Sequence, residues 1–147
     1  MIDSGDPYQW QVERTVQAIL AARPVADHVI CYQSRVGPLE WIGPSTDNEV
    51  SRAGAEGKGL IVVPVAFVSE HSETLVELDI EYGKLARESG VPDYIRVPAV
   101  RTHPAFIDGL ARLVTAALKS DRPVNCADGR ICPDGRICGY VTAAAHA

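Results

Sequence analysis

The run Leu60-Ile61-Val62-Val63-Pro64-Val65-Ala66-Phe67 constrains this chain most. It is apolar throughout, and only Val68-Ser69-Glu70 separate it from a segment of helical pattern. A continuous apolar run of strand length suits a strand covered on both faces, as in parallel sheets whose crossovers are helices. Pro64 argues against this, because proline removes a ladder hydrogen bond. His28-Val29-Ile30-Cys31-Tyr32 and Tyr94-Ile95-Arg96-Val97-Pro98-Ala99-Val100 read as the strands before and after it. Asp6 and Pro7 open a first helix whose apolar face is Tyr8, Val12, Val16, Ile19 and Leu20, and Arg23-Pro24 ends it. Phe106, Ile107, Leu110, Leu113, Val114, Ala117 and Leu118 recur at helical spacing in the last helix. Strands alternating with helices predict an α/β fold with a parallel sheet and right-handed crossovers.

The segment His71 to Tyr82 carries the chemistry. As an α-helix it places Glu73, Glu77 and Glu81 along one drifting stripe, with Leu75, Leu78, Tyr82 and Leu85 on the opposite side. Like charges four residues apart destabilise an isolated helix by roughly 0.2–0.5 kcal/mol per pair, and only Lys84 sits near enough to relieve them. Carboxylates beside a histidine suit the handling of a cation or of protons. A solvated acidic face explains the same pattern. The position of the segment favours chemistry, since the carboxyl end of a strand is where ligands bind in open parallel sheets.

Composition narrows the classes. At 147 residues, 46% hydrophobic and 22% charged, one domain with a real core is expected. A net charge of −5 without a basic cluster argues against a nucleic-acid partner. No apolar run reaches the length of a membrane span. Met1-Ile2-Asp3-Ser4-Gly5-Asp6 has neither the basic region nor the apolar core of a signal peptide, so a cytoplasmic location is expected, with cysteines as thiols or metal ligands.

From Cys31 and Tyr32 the chain runs through Gln33-Ser34-Arg35-Val36-Gly37-Pro38-Leu39-Glu40-Trp41-Ile42-Gly43-Pro44 into a helix capped by Ser45, Thr46 or Asp47. This loop resembles the Gln-Ser-(Lys/Arg)-x-Gly-x-x-x-Trp segment of the ferrochelatases, which insert ferrous iron into a porphyrin. The Pro64-Val65-Ala66-Phe67 strand end and the Glu73-to-Tyr82 segment resemble the same family. So do Gly5-Asp6-Pro7-Tyr8 and Arg101-Thr102-His103-Pro104-Ala105-Phe106, all in collinear order from about Ile2 to about Leu118. The resemblance supports the Leu60–Phe67 strand despite Pro64. It is to the C-terminal one of two similar α/β domains, and so implies a chelatase-like three-layer fold, a parallel sheet flanked by helices, over residues 1–119. A fourth strand and the family's catalytic histidine are expected before Met1, and none of His28, His71, His103 or His146 occupies the equivalent position.

The resemblance also implies roles. Glu73 matches the glutamate that the family pairs with that histidine around the metal, where the bland reading is a first-turn glutamate favoured by the helix dipole. Glu77 and Glu81 would continue an acidic path for metal or protons, and His71 sits beside the site. Gln33, Ser34, Arg35 and Trp41 would contact the porphyrin, Trp41 by flat stacking and Arg35 at a propionate. In residues 120–147, Cys126, Cys132 and Cys138 form a C-x5-C-x5-C pattern within a six-residue near-repeat. Some family members bind a two-iron, two-sulfur cluster through three C-terminal cysteines and a fourth ligand. A zinc site completed by His146, or thiols without metal, stay open beside that reading.

The expected activity is thus ferrous-iron insertion into protoporphyrin, without an organic cofactor, by half of a site that is inactive alone. The partners would be the porphyrin and the N-terminal domain or another chain, with peripheral membrane contact a further candidate. The alternative is a non-catalytic half-domain that holds metal or porphyrin and pairs with another chain. Insertion of a different metal is a second enzymatic option, which the loop and the acidic helix disfavour.

Overall fold

A computed structural model describes residues 6–33 and 42–119. Helix α1 spans Tyr8–Ala22, α2 Thr46–Ala55, strand β1 Leu60–Val62, a π-helix Glu73–Glu81, α3 Tyr82–Glu88, β2 Tyr94–Arg96 and α4 Pro104–Leu118. The first outer helix starts as expected, and the last starts in a similar way. Asp6 accepts a hydrogen bond from the Tyr8 N–H at 2.8 Å, and His103 Nδ1 accepts from the Ala105 N–H at 3.3 Å with Pro104 at the first helical position. Residues Glu13–Arg101 form one compact unit, and a second contains, among the described residues, 6–12 and 102–119.

Strands β1 and β2 run parallel, with Leu60 opposite Tyr94, Ile61 opposite Ile95 and Val62 opposite Arg96. The crossover between them is the π-helix and α3, as the strand–helix alternation requires. The core of the larger unit is Val50 and Ala53 of α2, Ala86 of α3 and Val91, with Leu60, Tyr82, Leu85 and Tyr94 packed against it. Helix α2 comes close to the end of α3 at Gly54, where a Cβ would lie 2.0 Å from the Ser89 carbonyl oxygen. Only glycine permits that approach.

The sheet is smaller than the sequence pattern predicts. Among the described residues it has two strands of three residues each, so a three-layer parallel sheet is not what forms here. His28–Tyr32 contributes only one parallel bridge, from Tyr32 to Ser45. The Tyr32 N–H donates to the Pro44 carbonyl at 2.9 Å and the Thr46 N–H donates to the Tyr32 carbonyl at 3.1 Å. The entry to α2 therefore takes the ladder groups of Tyr32. Strand β1 stops at Val62, whose carbonyl accepts from the Val97 N–H at 2.8 Å. Pro64, two residues on, has no N–H to extend the ladder. Pro98 limits β2 in the same way. The predicted last helix forms, yet Ile107, Leu110, Leu113, Val114 and Leu118 of α4 are exposed. The expected tail, 120–147, lies outside the described residues.

Candidate active site

The segment after β1 turns back at once, the Phe67 N–H donating to the Pro64 carbonyl at 3.4 Å, and delivers Glu70 and His71 to the start of the π-helix. A π-helix closes i→i+5 hydrogen bonds, seen here where the Tyr82 N–H donates to the Glu77 carbonyl. In an α-helix each four-residue step overshoots a full turn by about 40°. The wider π turn removes most of that drift, so residues four apart come nearly into line. Two rows follow. Thr74 and Leu78 are buried, and Glu73 and Glu77 beside them are half-buried.

This geometry corrects the α-helical expectation for the apolar side. Leu78 is buried and Tyr82 and Leu85 pack on the core, but Leu75 is 46% exposed and Thr74 holds the inward place instead. The Thr74 hydroxyl accepts from the His71 N–H at 2.7 Å and lies 2.8 Å from the His71 carbonyl and 3.2 Å from Glu70 Oε2. Its single proton serves one of those two acceptors at a time. Lys84 lies 3.7 Å from Glu88.

The expected site residues separate into four groups. Glu73 and His71 come together, His71 Nδ1 lying 3.6 Å from Glu73 Oε2 and 3.4 Å from the Glu73 N–H. A bare Nδ1 can accept from that N–H, whereas an Nδ1 that carries a proton can donate only to the carboxylate, so the two contacts alternate. The imidazole is half-exposed and stacks on Phe67, with ring centroids 5.9 Å apart. Gln33 and Glu77 form a second pair, Gln33 Nε2 donating to Glu77 Oε2 at 3.2 Å across 44 residues of sequence. Glu81 is exposed, at the end of the row. Ser34, Arg35, Trp41, Cys126, Cys132 and Cys138 lie outside the described residues.

No group of three or more His, Cys, Asp or Glu side chains has metal-holding geometry among the described residues. Cys31 is a poor donor, as burial pushes its thiol up against the lowering effect of the Thr46 hydroxyl, which donates to Sγ at 3.5 Å. A shallow depression of about 560 Å³ beside Asp79, Tyr94 and Arg96 includes none of the expected site residues. Among the described residues no helix is long and apolar enough to cross a membrane.

Sequence reasoning missed the residues that hold the acidic row. The Glu70 carboxylate accepts from Arg96 Nη1 at 3.0 and 2.8 Å and from the Ala99 N–H at 3.0 Å. Arg96 holds it below the usual carboxylate range, helped by that N–H. Asp79 accepts from Arg96 Nε at 2.5 Å and Nη2 at 2.8 Å, and is lowered likewise. The Tyr94 hydroxyl donates to the Leu78 carbonyl at 2.7 Å, and burial pushes its pKa up to about 12. An arginine inside a predicted strand was the available signal, because a charge there must find a partner.

Comparison with known proteins adds to this geometry. A sequence model of the Ferrochelatase family matches residues 1–118. A ferrochelatase of Caulobacter vibrioides is 55% identical over 134 residues, 90% of this chain and 39% of the relative. Those of Phenylobacterium zucineum and Nostoc punctiforme are 59% and 52% identical over 80% of this chain, and the chain covers 35% and 31% of them. The chain thus spans between about a third and two fifths of the length of these relatives. With most of its length matched and its motifs in order, this chain belongs to the ferrochelatase family.

Proposed function

We propose that this chain supplies the acidic part of a site that inserts ferrous iron into protoporphyrin, and that it is inactive without the remainder. The reaction exchanges one ferrous ion for the two pyrrole protons of the macrocycle, so it needs an oxygen or nitrogen donor for the metal and acceptors for the protons. Glu73 is the metal donor in this reading. A histidine from the part of the full-length relatives that this chain does not span completes the pair. His71, Glu77 and Glu81 receive protons and pass them along the row towards solvent. Gln33, Ser34, Arg35 and Trp41 hold the porphyrin. No step involves Cys126, Cys132 or Cys138, whose iron–sulfur role is a separate proposal.

The observation that carries this reading is the Gln33–Glu77 hydrogen bond at 3.2 Å. It joins the segment assigned to the macrocycle to the segment assigned to metal and protons. The test mixes the chain with a separately expressed N-terminal portion of the Caulobacter vibrioides relative and follows the loss of protoporphyrin fluorescence on addition of ferrous iron. Activity that requires both parts and disappears in Glu73→Ala supports the reading. Activity of the chain alone would place the catalytic groups elsewhere.

A second reading is a non-catalytic module that holds metal or porphyrin and pairs with another chain. The His71–Glu73 and Gln33–Glu77 contacts would serve ligand holding without turnover equally well. Failure to restore activity when the two parts demonstrably associate would select it.

A further inference from the structure

The acidic row is held from outside its own helix. Arg96 ends β2, and its side chain is only 12% exposed. The Nη1 group of its guanidinium meets both oxygens of Glu70, just before the π-helix, and the Nε–Nη2 edge meets both oxygens of Asp79, near its end. Glu73 and Glu77 lie between these two anchor points. The Ala99 N–H fixes the Glu70 carboxylate from the chain beyond β2, and Thr74 ties the intervening turn. A π-helix is an uncommon form, and rotation of the segment towards an α-helix would move Asp79 relative to Glu70. The planar fork of an arginine spans both carboxylates at once, which a lysine ammonium does not.

We infer that Arg96 is the positioning residue of the site: its two-sided clamp on Glu70 and Asp79 sets the direction in which Glu73 and Glu77 face. Arg96 touches no reacting atom and acts through the helix it grips. This rests on the proposed function for what the row does, but the clamp itself is testable without it. Nothing else among the described residues links β2 to both ends of the row by side-chain ion pairs.

The test uses the full chain and Arg96→Lys, with two readouts by nuclear magnetic resonance. In the first, amide hydrogen exchange should accelerate at least tenfold for residues 73–81, while the α2–α3 core amides stay within about twofold of wild type. In the second, Mn²⁺ alone is titrated. Wild type should show broadening of the residue 73–77 amides that Glu73→Gln abolishes, and Arg96→Lys should weaken that broadening severalfold. Uniform acceleration throughout the chain would reduce Arg96 to a general stabiliser and overturn the inference, as would unchanged exchange in the row. Absence of Glu73-dependent broadening in wild type would defeat the proposed site while leaving the exchange readout to judge the clamp. Should Arg96→Lys fail to fold, Asp79→Asn removes one side of the clamp alone. It should accelerate exchange chiefly in residues 77–81, and a protected row in that variant would overturn the inference.

Discussion

Replacing Thr74 by valine tests what starts the π-helix. Thr74 is fully buried, and valine matches its shape while putting a methyl where the hydroxyl stood. The change removes the acceptor of the His71 N–H at 2.7 Å and a donor that serves the His71 carbonyl at 2.8 Å. That carbonyl keeps a second donor, the Leu75 N–H at 2.9 Å, so the N–H is the group left unsatisfied. Net losses of about 0.5–1.5 kcal/mol per hydrogen bond give an expected destabilisation of about 1–3 kcal/mol. Thr74→Ser keeps the hydroxyl and removes one methyl, about 1 kcal/mol by the transfer scale. Valine should therefore be the worse replacement, although it is the more apolar. Urea unfolding followed by circular dichroism measures both. A Thr74→Val chain as stable as wild type, or more stable than Thr74→Ser, would refute the assignment of that hydroxyl.

Other consequences follow from the same contacts. Gly54→Ala puts a Cβ 2.0 Å from the Ser89 carbonyl oxygen, so α2 must retreat from α3. The expected cost is about 1–3 kcal/mol, read as a lower unfolding midpoint, and an unchanged midpoint would contradict the close approach. Tyr94→Phe removes the donor to the Leu78 carbonyl, with about 1 kcal/mol expected in the same assay. Glu70 and Asp79 have folded pKa values lowered from 4.5 and 3.8 by Arg96. Their contribution is fully present above those ordinary values and is lost as pH falls through the lower folded ones. Stability should therefore decline below about pH 4, and Glu70→Gln with Asp79→Asn should flatten that decline in urea midpoints measured against pH.

The strand–helix alternation, the start of the first helix and the family were legible because each is written in local pattern. Apolar period, a proline at a helix start and an ordered set of motifs need no tertiary information. The extent of the sheet was not legible. The Leu60–Phe67 run is apolar enough for a long strand, but Pro64 and Pro98 decide where the ladder ends. His28–Tyr32 has strand composition, yet the chain entering α2 takes the pairing groups of Tyr32. The helical turn was missed for a subtler reason. A four-residue repeat of glutamates reads as an α-helix with drift, and only the inward place of Thr74 reveals the wider turn. The four-residue spacing of Glu73 and Glu77 and the place of His71 beside them were readable, and the structure brings His71 to Glu73. Glu70, Asp79 and Arg96 were not, since their meaning lies in contacts between residues 17 and 26 positions apart.

In the proposed function the Glu73 row of this chain serves iron insertion. The most direct measurement replaces the matching region of the full-length Caulobacter vibrioides ferrochelatase with residues 1–118 of this chain and assays ferrous-iron insertion into protoporphyrin. The expected chimera is active and loses at least a hundredfold in kcat/KM on Glu73→Gln, about 3 kcal/mol of transition-state stabilisation. A folded chimera without activity, or one that Glu73→Gln leaves fully active, would contradict the proposed function.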